Sequence, residues 1–439
     1  MNMSVAQRLP QIATIVGLGL LVQASFAQEN NFSRKDVNIS FRSKKIDGFN
    51  FKEANAKKSD FSSATGQGVN FENAELSGVN FQNAVFQDPS FEGAKLHGSI
   101  LRSSDMRGSD FRDAIMDSAD LYRATLLDSR FDHASLKGAN LKAIKVSDEC
   151  KFAKSDLTSA NVEDVDLTRA DFSKSNLTNT KFARSLLGEA DFSKSTMVNT
   201  DFTACNLIRA DFSKVELKSV NFAKAGLSRA IFDGTSFENV NLQAADLSLT
   251  YFNEVDLSKA QLQRASFAQS KLKNMTFDRQ DLSSVVFDKS QLLSSSLKGA
   301  NLSGTSYFDA EEVSKVDFTE ADLSKSVFDG AYIYKCVFDK ANMLKANFAN
   351  SNIDRSSFNM AQMAGANFSG AKLSNTMFIN ADLKNAKFDA DTRLDRVDFS
   401  GADLSRATMK KFQARECIYD SKTQFPDDFK PAKFGFVKR

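Results

Sequence analysis

The chain has 439 residues, with 57 basic and 55 acidic side chains and a formal net charge of +2. That balance excludes a protein held to nucleic acid or an anionic membrane by bulk charge alone. Its 40 phenylalanines stand against 6 tyrosines, 4 prolines and no tryptophan, usage expected of one local solution copied many times rather than several separate cores.

Residues 1–27 form the first predicted element. Arg8 is their only charge, an apolar run extends from Ile12 to Val22, and the small Ser25 and Ala27 precede Gln28. This arrangement predicts a secretory signal peptide, with an apolar core shorter than a membrane span needs. No cysteine follows the run, so the expectation is an exported protein, periplasmic or secreted, without a lipid anchor. Residues 28–40 are expected to form an N-terminal cap on the element that begins at Phe41.

From Phe41 onward a large apolar residue recurs every five positions, as in Phe71, Leu76, Phe81, Phe86 and Phe91. The phase slips by one residue between Val146 and Phe152. A second slip is placed at Ser303–Tyr307, which makes Phe308 the next large residue and puts Glu311 on an inward position. A third falls at Asp389–Arg393. These phases hold about 74 repeats. Two residues before each large one sits a small one (Ala170, Ala190, Ala210), and between them Asp or Asn (Asp171, Asn221).

A five-residue period scatters the phenylalanines around an α-helix, which turns about 100° per residue. In a flat strand it sends alternate phenylalanines to opposite faces. What remains is three extended residues and a two-residue corner, with the small and large side chains inward and Asp or Asn outward. Ala-Asp-Phe-Ser-Lys occurs at 170–174, 190–194 and 210–214, so four pentapeptides make one coil. Phenylalanine and leucine (or methionine) alternate over Phe172–Leu227 and Phe318–Phe388, which gives opposite sides of the coil like residues.

The pattern A-(D/N)-(L/F)-x-x over 41–411 resembles the pentapeptide-repeat proteins. The resemblance implies an all-β, right-handed quadrilateral parallel β-helix. About 18 coils at a strand spacing near 4.8 Å predict a rod roughly 85–90 Å long. Residues 412–439 are expected to cap the C-terminal end with Phe412, Phe425, Phe429, Phe434 and Phe436. Their Tyr419–Pro426 segment resembles a terminal stretch of bacterial members, and by the same analogy the end is a place for end-to-end homodimerisation.

Little in the sequence suggests catalysis. His97 and His133 fall on outward corners of different sides, too far apart to share a metal, and no phosphate-binding loop is present. No cofactor is expected. Cys150, Cys205 and Cys336 fall in small-residue slots and Cys417 in the tail, so no disulfide is expected either. Glu311 implies a local loop beside Glu312, the one place where a ligand site or enzymatic role would be sought. Met275, Gln280 and Pro89 are milder misfits.

The outward positions carry the remaining functional readings. Lys154, Lys174, Lys194 and Lys214 recur every 20 residues, with Arg169, Arg209 and Arg229 on the neighbouring corner. Such a stripe would grip an anionic polymer by summed contacts, although Asp171, Asp191, Asp211 and Glu189 interrupt it. The aspartates are expected to serve the corner backbone. The leading expectation is therefore a non-catalytic exported rod that acts as a structural or protein-interaction scaffold for a protein partner. Binding of an anionic polymer through the stripe is the alternative. The DNA mimicry by which some members of the resembled family protect DNA gyrase would need a far more acidic surface.

Overall fold

The structure, a computed structural model, describes residues 30–439. The leader expected at 1–27 lies outside the described residues. The chain divides into two units, residues 1–186 and 187–439. Each is built of parallel coils in which a strand pairs with the strand 20 residues later, as Thr65–Gln67 with Val85–Gln87 and Tyr251–Asn253 with Lys271–Lys273. The fold is a parallel β-solenoid of about 19 turns. One short 3₁₀ helix, Pro431–Phe434, lies near the C-terminal end.

The pentapeptide is explained by where its backbone hydrogen bonds go. The N–H of each large central residue donates to the outward residue of the next coil, as Phe51 to Asn70 O at 2.6 Å, and the N–H of an outward residue donates back to the small residue of the previous coil, as Glu75 to Ala54 O at 2.8 Å. The corner closes when the next small residue donates to the central carbonyl, as Ala54 to Phe51 O at 2.9 Å. The second corner residue donates to the first corner residue of the next coil, as Glu53 to Glu72 O at 2.8 Å. One N–H is left over, that of the first corner residue. The outward Asn or Asp takes it: Lys52 N–H donates to Asn50 Oδ1 at 3.0 Å and Ser62 N–H to Asp60 Oδ1 at 2.9 Å. Burial without a partner would cost each of these groups free energy, so the Asp/Asn preference has a backbone cause.

The second corner residue adopts the left-handed region at nearly every corner, with φ near 58° at Arg34, Glu53 and Lys154. Non-glycine residues resist that conformation by about 1–2 kcal/mol each. The coil-to-coil bond from the same residue's N–H helps to hold it there.

Inside, rings stack face to face. In the first unit Phe51, Phe71, Phe91, Phe111 and Phe131 lie with centroids 4.9–5.1 Å apart and planes within 10°. In the second unit Phe192, Phe212, Phe232 and Phe252 form one such column and Phe202 and Phe222 form part of another. Both columns then turn aliphatic, at Leu272 and Leu242, while rings take over the other two sides: Phe267, Phe287, Tyr307, Phe328 and Phe348 on one, Phe318, Phe338, Phe358 and Phe378 on the other. The handover occupies residues 232–267, where Phe237, Val255 and Ala260 remain 8–9 % exposed, whereas most central residues elsewhere are at 0 %.

Four expectations need correction. The coils start before the cap expected at 28–40 ends: Asn31 bridges Asn50, and Phe32 and Val37 are buried. The spacing from Val37 to Phe41 is four residues rather than five, which hides this coil from a strict period. The second slip is not at Ser303–Tyr307. Tyr307 is the inward residue, fully buried against Phe328 at 4.4 Å, while Phe308 is 43 % exposed on a corner. The extra residue is Glu311, which points outward and accepts from Gln291 Nε2 at 2.9 Å, so neither an inward glutamate nor a loop forms. Finally, the coils run past 411. Gln413–Arg415 pairs with Arg393–Asp395, Asp403 bridges Gln424, and Cys417 fills a buried small-residue slot. The end is then closed by Phe436–Lys438 beside Cys417–Tyr419 and by stacking of Phe412, Phe429 and Phe434 at 5.0–5.9 Å.

Candidate interaction surface

A solenoid whose inward positions are filled presents only corners and outward residues to a partner. The four cysteines are reduced and buried. Burial pushes the Cys150 and Cys336 thiols up to about 12 and that of Cys417 to about 11, which removes them from thiolate chemistry near neutral pH. His97 and His133 sit on corners, and His133 Nδ1 lies 3.4 Å from Asp113. Among the described residues no cluster of His, Cys, Asp or Glu has the arrangement to hold a metal. No helix among them is long and apolar enough to cross a membrane.

The expected basic stripe divides between the two units. Lys154 and Lys174 take successive left-handed corners in the first, and Lys194 and Lys214 do so in the second, with φ 58–59°. The aspartates beside them are occupied by backbone as expected: Ser173, Ser193 and Ser213 N–H donate to Asp171, Asp191 and Asp211 at 2.8–3.0 Å. The arginines behave differently. Arg169 pairs with Asp148 at 2.7 Å, and Arg209 with Glu189 at 3.2 Å, so both are neutralised in place. Arg229 instead borders a hollow of about 300 Å³.

That hollow is the feature that sequence reasoning missed. Ile231, Leu249 and Tyr251 line it with Phe232 and Asn253. They are 48 %, 40 % and 55 % exposed, and Ile208, one coil earlier, is 43 % exposed. Leu249 holds φ 60° at a second-corner position where Lys, Arg, Ser or Asn is usual. The signal was readable in part: three large apolar residues occupy neighbouring slots that the repeat mostly fills with polar ones. The hollow lies over the stretch where the ring columns change sides, the most loosely filled part of the second unit's core.

A second missed feature concerns corner aspartates. Where the outward residue is Ser or Met and cannot reach, the first corner residue of the preceding coil supplies the acceptor. Lys298 N–H donates to Asp278, Phe308 N–H to Asp288 and Asn359 N–H to Asp339, at 2.9–3.0 Å, and Ile379 N–H to Asn359 at 3.1 Å. These side chains are structural, and they are removed from any count of free surface charge.

A family model for the pentapeptide repeat region matches residues 67–141, 147–222, 186–262, 208–287 and 311–388, more than half of the chain. The chain belongs to the pentapeptide-repeat family. No curated protein matches it in sequence. Among solved structures, it is similar to HetL, a pentapeptide-repeat protein involved in heterocyst differentiation regulation from the cyanobacterium Nostoc. The identity there is 22 %, covering 59 % of this chain and 96 % of that one, with a TM-score of 0.24. It is also similar to QnrB1, a plasmid-mediated fluoroquinolone resistance protein, at 18 % identity over 44 % of this chain and 91 % of that one, TM-score 0.29. The family assignment rests on the repeat model and on the coils themselves, and these likenesses say nothing about a partner. What a pentapeptide-repeat coil can offer chemically is a rigid, regular surface on which departures from the polar pattern stand out.

Proposed function

We propose that the chain is a non-catalytic scaffold whose second unit docks a protein at the hollow edged by Arg229, Ile231, Leu249 and Tyr251. The observation that carries this reading is that Ile231, Leu249 and Tyr251, 40–55 % exposed, are gathered around one hollow beside Arg229 on a mostly polar surface. Contiguous apolar surface rimmed by polar groups marks interaction sites, and tyrosine and arginine are preferred anchors at the centre of protein interfaces. The leader-like character of residues 1–27 supports a place outside the cytoplasm for this work.

Affinity capture with the tagged protein from periplasm and envelope, washed at high salt, tests the reading. A specific protein should be retained, because an apolar contact survives screening that removes loose ionic binding. Ile231→Asp and Tyr251→Ala should abolish its capture while leaving the melting curve in place. Capture unaffected by either substitution would reject this surface as the docking site.

A further inference from the structure

The longest sheet in the second unit runs through nine parallel strands from Tyr251–Asn253 to Gln413–Arg415. Its later strands, Tyr332–Tyr334, Asn352–Asp354, Lys372–Ser374 and Arg393–Asp395, pair in register. Successive coils therefore bring Lys335 beside Arg355 on one corner and Lys372 beside Arg393 on the flat of the face. All four side chains are exposed. Arg355 lies 3.7 Å from Asp354, a loose pair, and the other three have no ion pair among the described residues, in contrast to Arg169 and Arg209. A hollow of about 510 Å³ opens between Lys372, Arg393 and Arg415, with Asp395 on its wall held by Arg415 at 2.7 Å.

Two tyrosines share this face. Tyr332 and Tyr334 lie parallel, centroids 6.4 Å apart, and Arg355 donates to the Tyr334 hydroxyl at 3.1 Å. Lys335 and Arg355 both sit over the Tyr334 ring, at 5.1 and 5.9 Å. With those cations on the ring, the successive open aromatic faces that single-stranded nucleic acid stacks on are not present. What the face does present is a cation or hydroxyl at each coil step of about 4.8 Å, comparable to the rise of one sugar unit in an extended polysaccharide.

We propose that this face binds a linear acidic polysaccharide, with its carboxylate or sulfate groups on Lys335, Arg355, Lys372 and Arg393 and its hydroxyls on Tyr332, Tyr334 and Asn352. The residues differ from those of the protein-docking hollow, so Ile231→Asp leaves polymer binding unchanged. The basic surface of consequence then lies at 335–393 rather than at the Lys154–Lys214 stripe.

The test titrates the full-length protein with polygalacturonate, heparin, neutral dextran and single-stranded oligothymidylate at low and high salt. At least one acidic polysaccharide binds at low salt, with affinity falling linearly in log salt, and dextran does not. The preference between polygalacturonate and heparin tells carboxylate from sulfate. Lys335→Ala/Arg355→Ala/Lys372→Ala weakens binding about tenfold or more, and Lys154→Ala/Lys174→Ala leaves it within about twofold. If the triple variant folds poorly, Lys372→Ala alone, at an exposed position, still shows a loss of about threefold. The proposal is overturned by failure of both acidic polysaccharides to bind at low salt, by equal loss in the Lys154/Lys174 control, or by tighter binding of the oligonucleotide.

Discussion

Within the second unit, the coils around Phe192–Phe222 and those around Phe328–Phe378 obey the same rule with their sides exchanged. Early, the rings stack in the columns of Phe192 and Phe202; late, in those of Phe328 and Phe338. In both stretches opposite sides meet edge to face across the core, as Phe202 with Phe212 at 6.0 Å and 86°, and Phe348 with Phe358 at 5.8 Å and 88°. Within these two stretches ring and aliphatic residue alternate around the coil, a mixture that fills it without the crowding of four rings or the voids of four leucines. The fold does not fix which sides carry the rings. The exchange between them is made at residues 232–267, with Phe232 and Phe237 at 5.4 Å and 53° and Phe252 and Phe267 at 6.0 Å and 75°. The residual exposure there, and the apolar hollow above it, mark the junction of two internally regular arrays.

The strongest way to break this comparison is to empty a ring position in each environment. Phe348→Ala, in a fully buried column, should cost about 3–5 kcal/mol through the cavity it leaves. Phe237→Ala, at the 8 % exposed junction, should cost about 2 kcal/mol because the site is already part open. Denaturant unfolding of both variants checks this, and equal losses would show that the junction is packed as tightly as the columns.

The corners should be indifferent to the exchange. Asp191→Ala in the early stretch and Asp322→Ala in the late one each remove the acceptor of a corner N–H, from Ser193 and Ser324, at about 1 kcal/mol. Lys194→Ala and Lys325→Ala, at exposed corners, should each change stability by well under 1 kcal/mol. A clear early-versus-late difference in either pair, by the same unfolding measurement, would mean that the outer shell senses which side carries the rings.

The smallest effect is local and concerns the closing coil. Asp420 accepts from the N–H of Gly401 at 2.9 Å, and that bond, foremost, holds its carboxyl below the usual carboxylate range against the opposing effect of desolvation. A depressed carboxylate contributes stability that is complete above the unfolded value near 3.9 and is lost as pH falls through the folded value. Hydrogen exchange at the Gly401 amide should therefore lose protection on acidification below about pH 4 in the native chain. In Asp420→Ala that pH dependence should be absent. Identical profiles for the two would separate the last coil from this linkage.

Much of this was legible beforehand. The five-residue period, the 20-residue coil and the inward and outward assignments follow from Phe, Ala and Asp at fixed offsets, and the service of Asp171, Asp191 and Asp211 to the corner was foreseeable from turn chemistry. Other features were hidden for identifiable reasons. Tyr307 and Phe308 are adjacent aromatics, so preference for phenylalanine moved the slip four residues early. The first coil at Phe32 and the last at Cys417 depart from strict spacing or carry atypical residues. Donation across coils to Asp278, Asp288 and Asp339 leaves no local motif, since donor and acceptor are 20 residues apart. The exchange of ring columns was written in the sequence as two phases of one alternation, and only the stacking shows that they occupy different sides.

Two of the insertions, at Asp389 and Asp420, share one form. Asp389 and Asp420 each accept from a glycine N–H one coil earlier, Gly370 or Gly401, while Thr392 and Thr423 donate inward to Phe368 and Phe399 carbonyls at 2.9 and 3.1 Å. An added residue is thus absorbed by a ready-made Asp-x-x-Thr corner, and the ladder on both sides keeps its register. For a gene that lengthens by copying its own segments, this relaxes the arithmetic of inheritance. A duplication that misses the coil length by one codon is still a folding sequence, and the history of the chain need not be written in multiples of twenty.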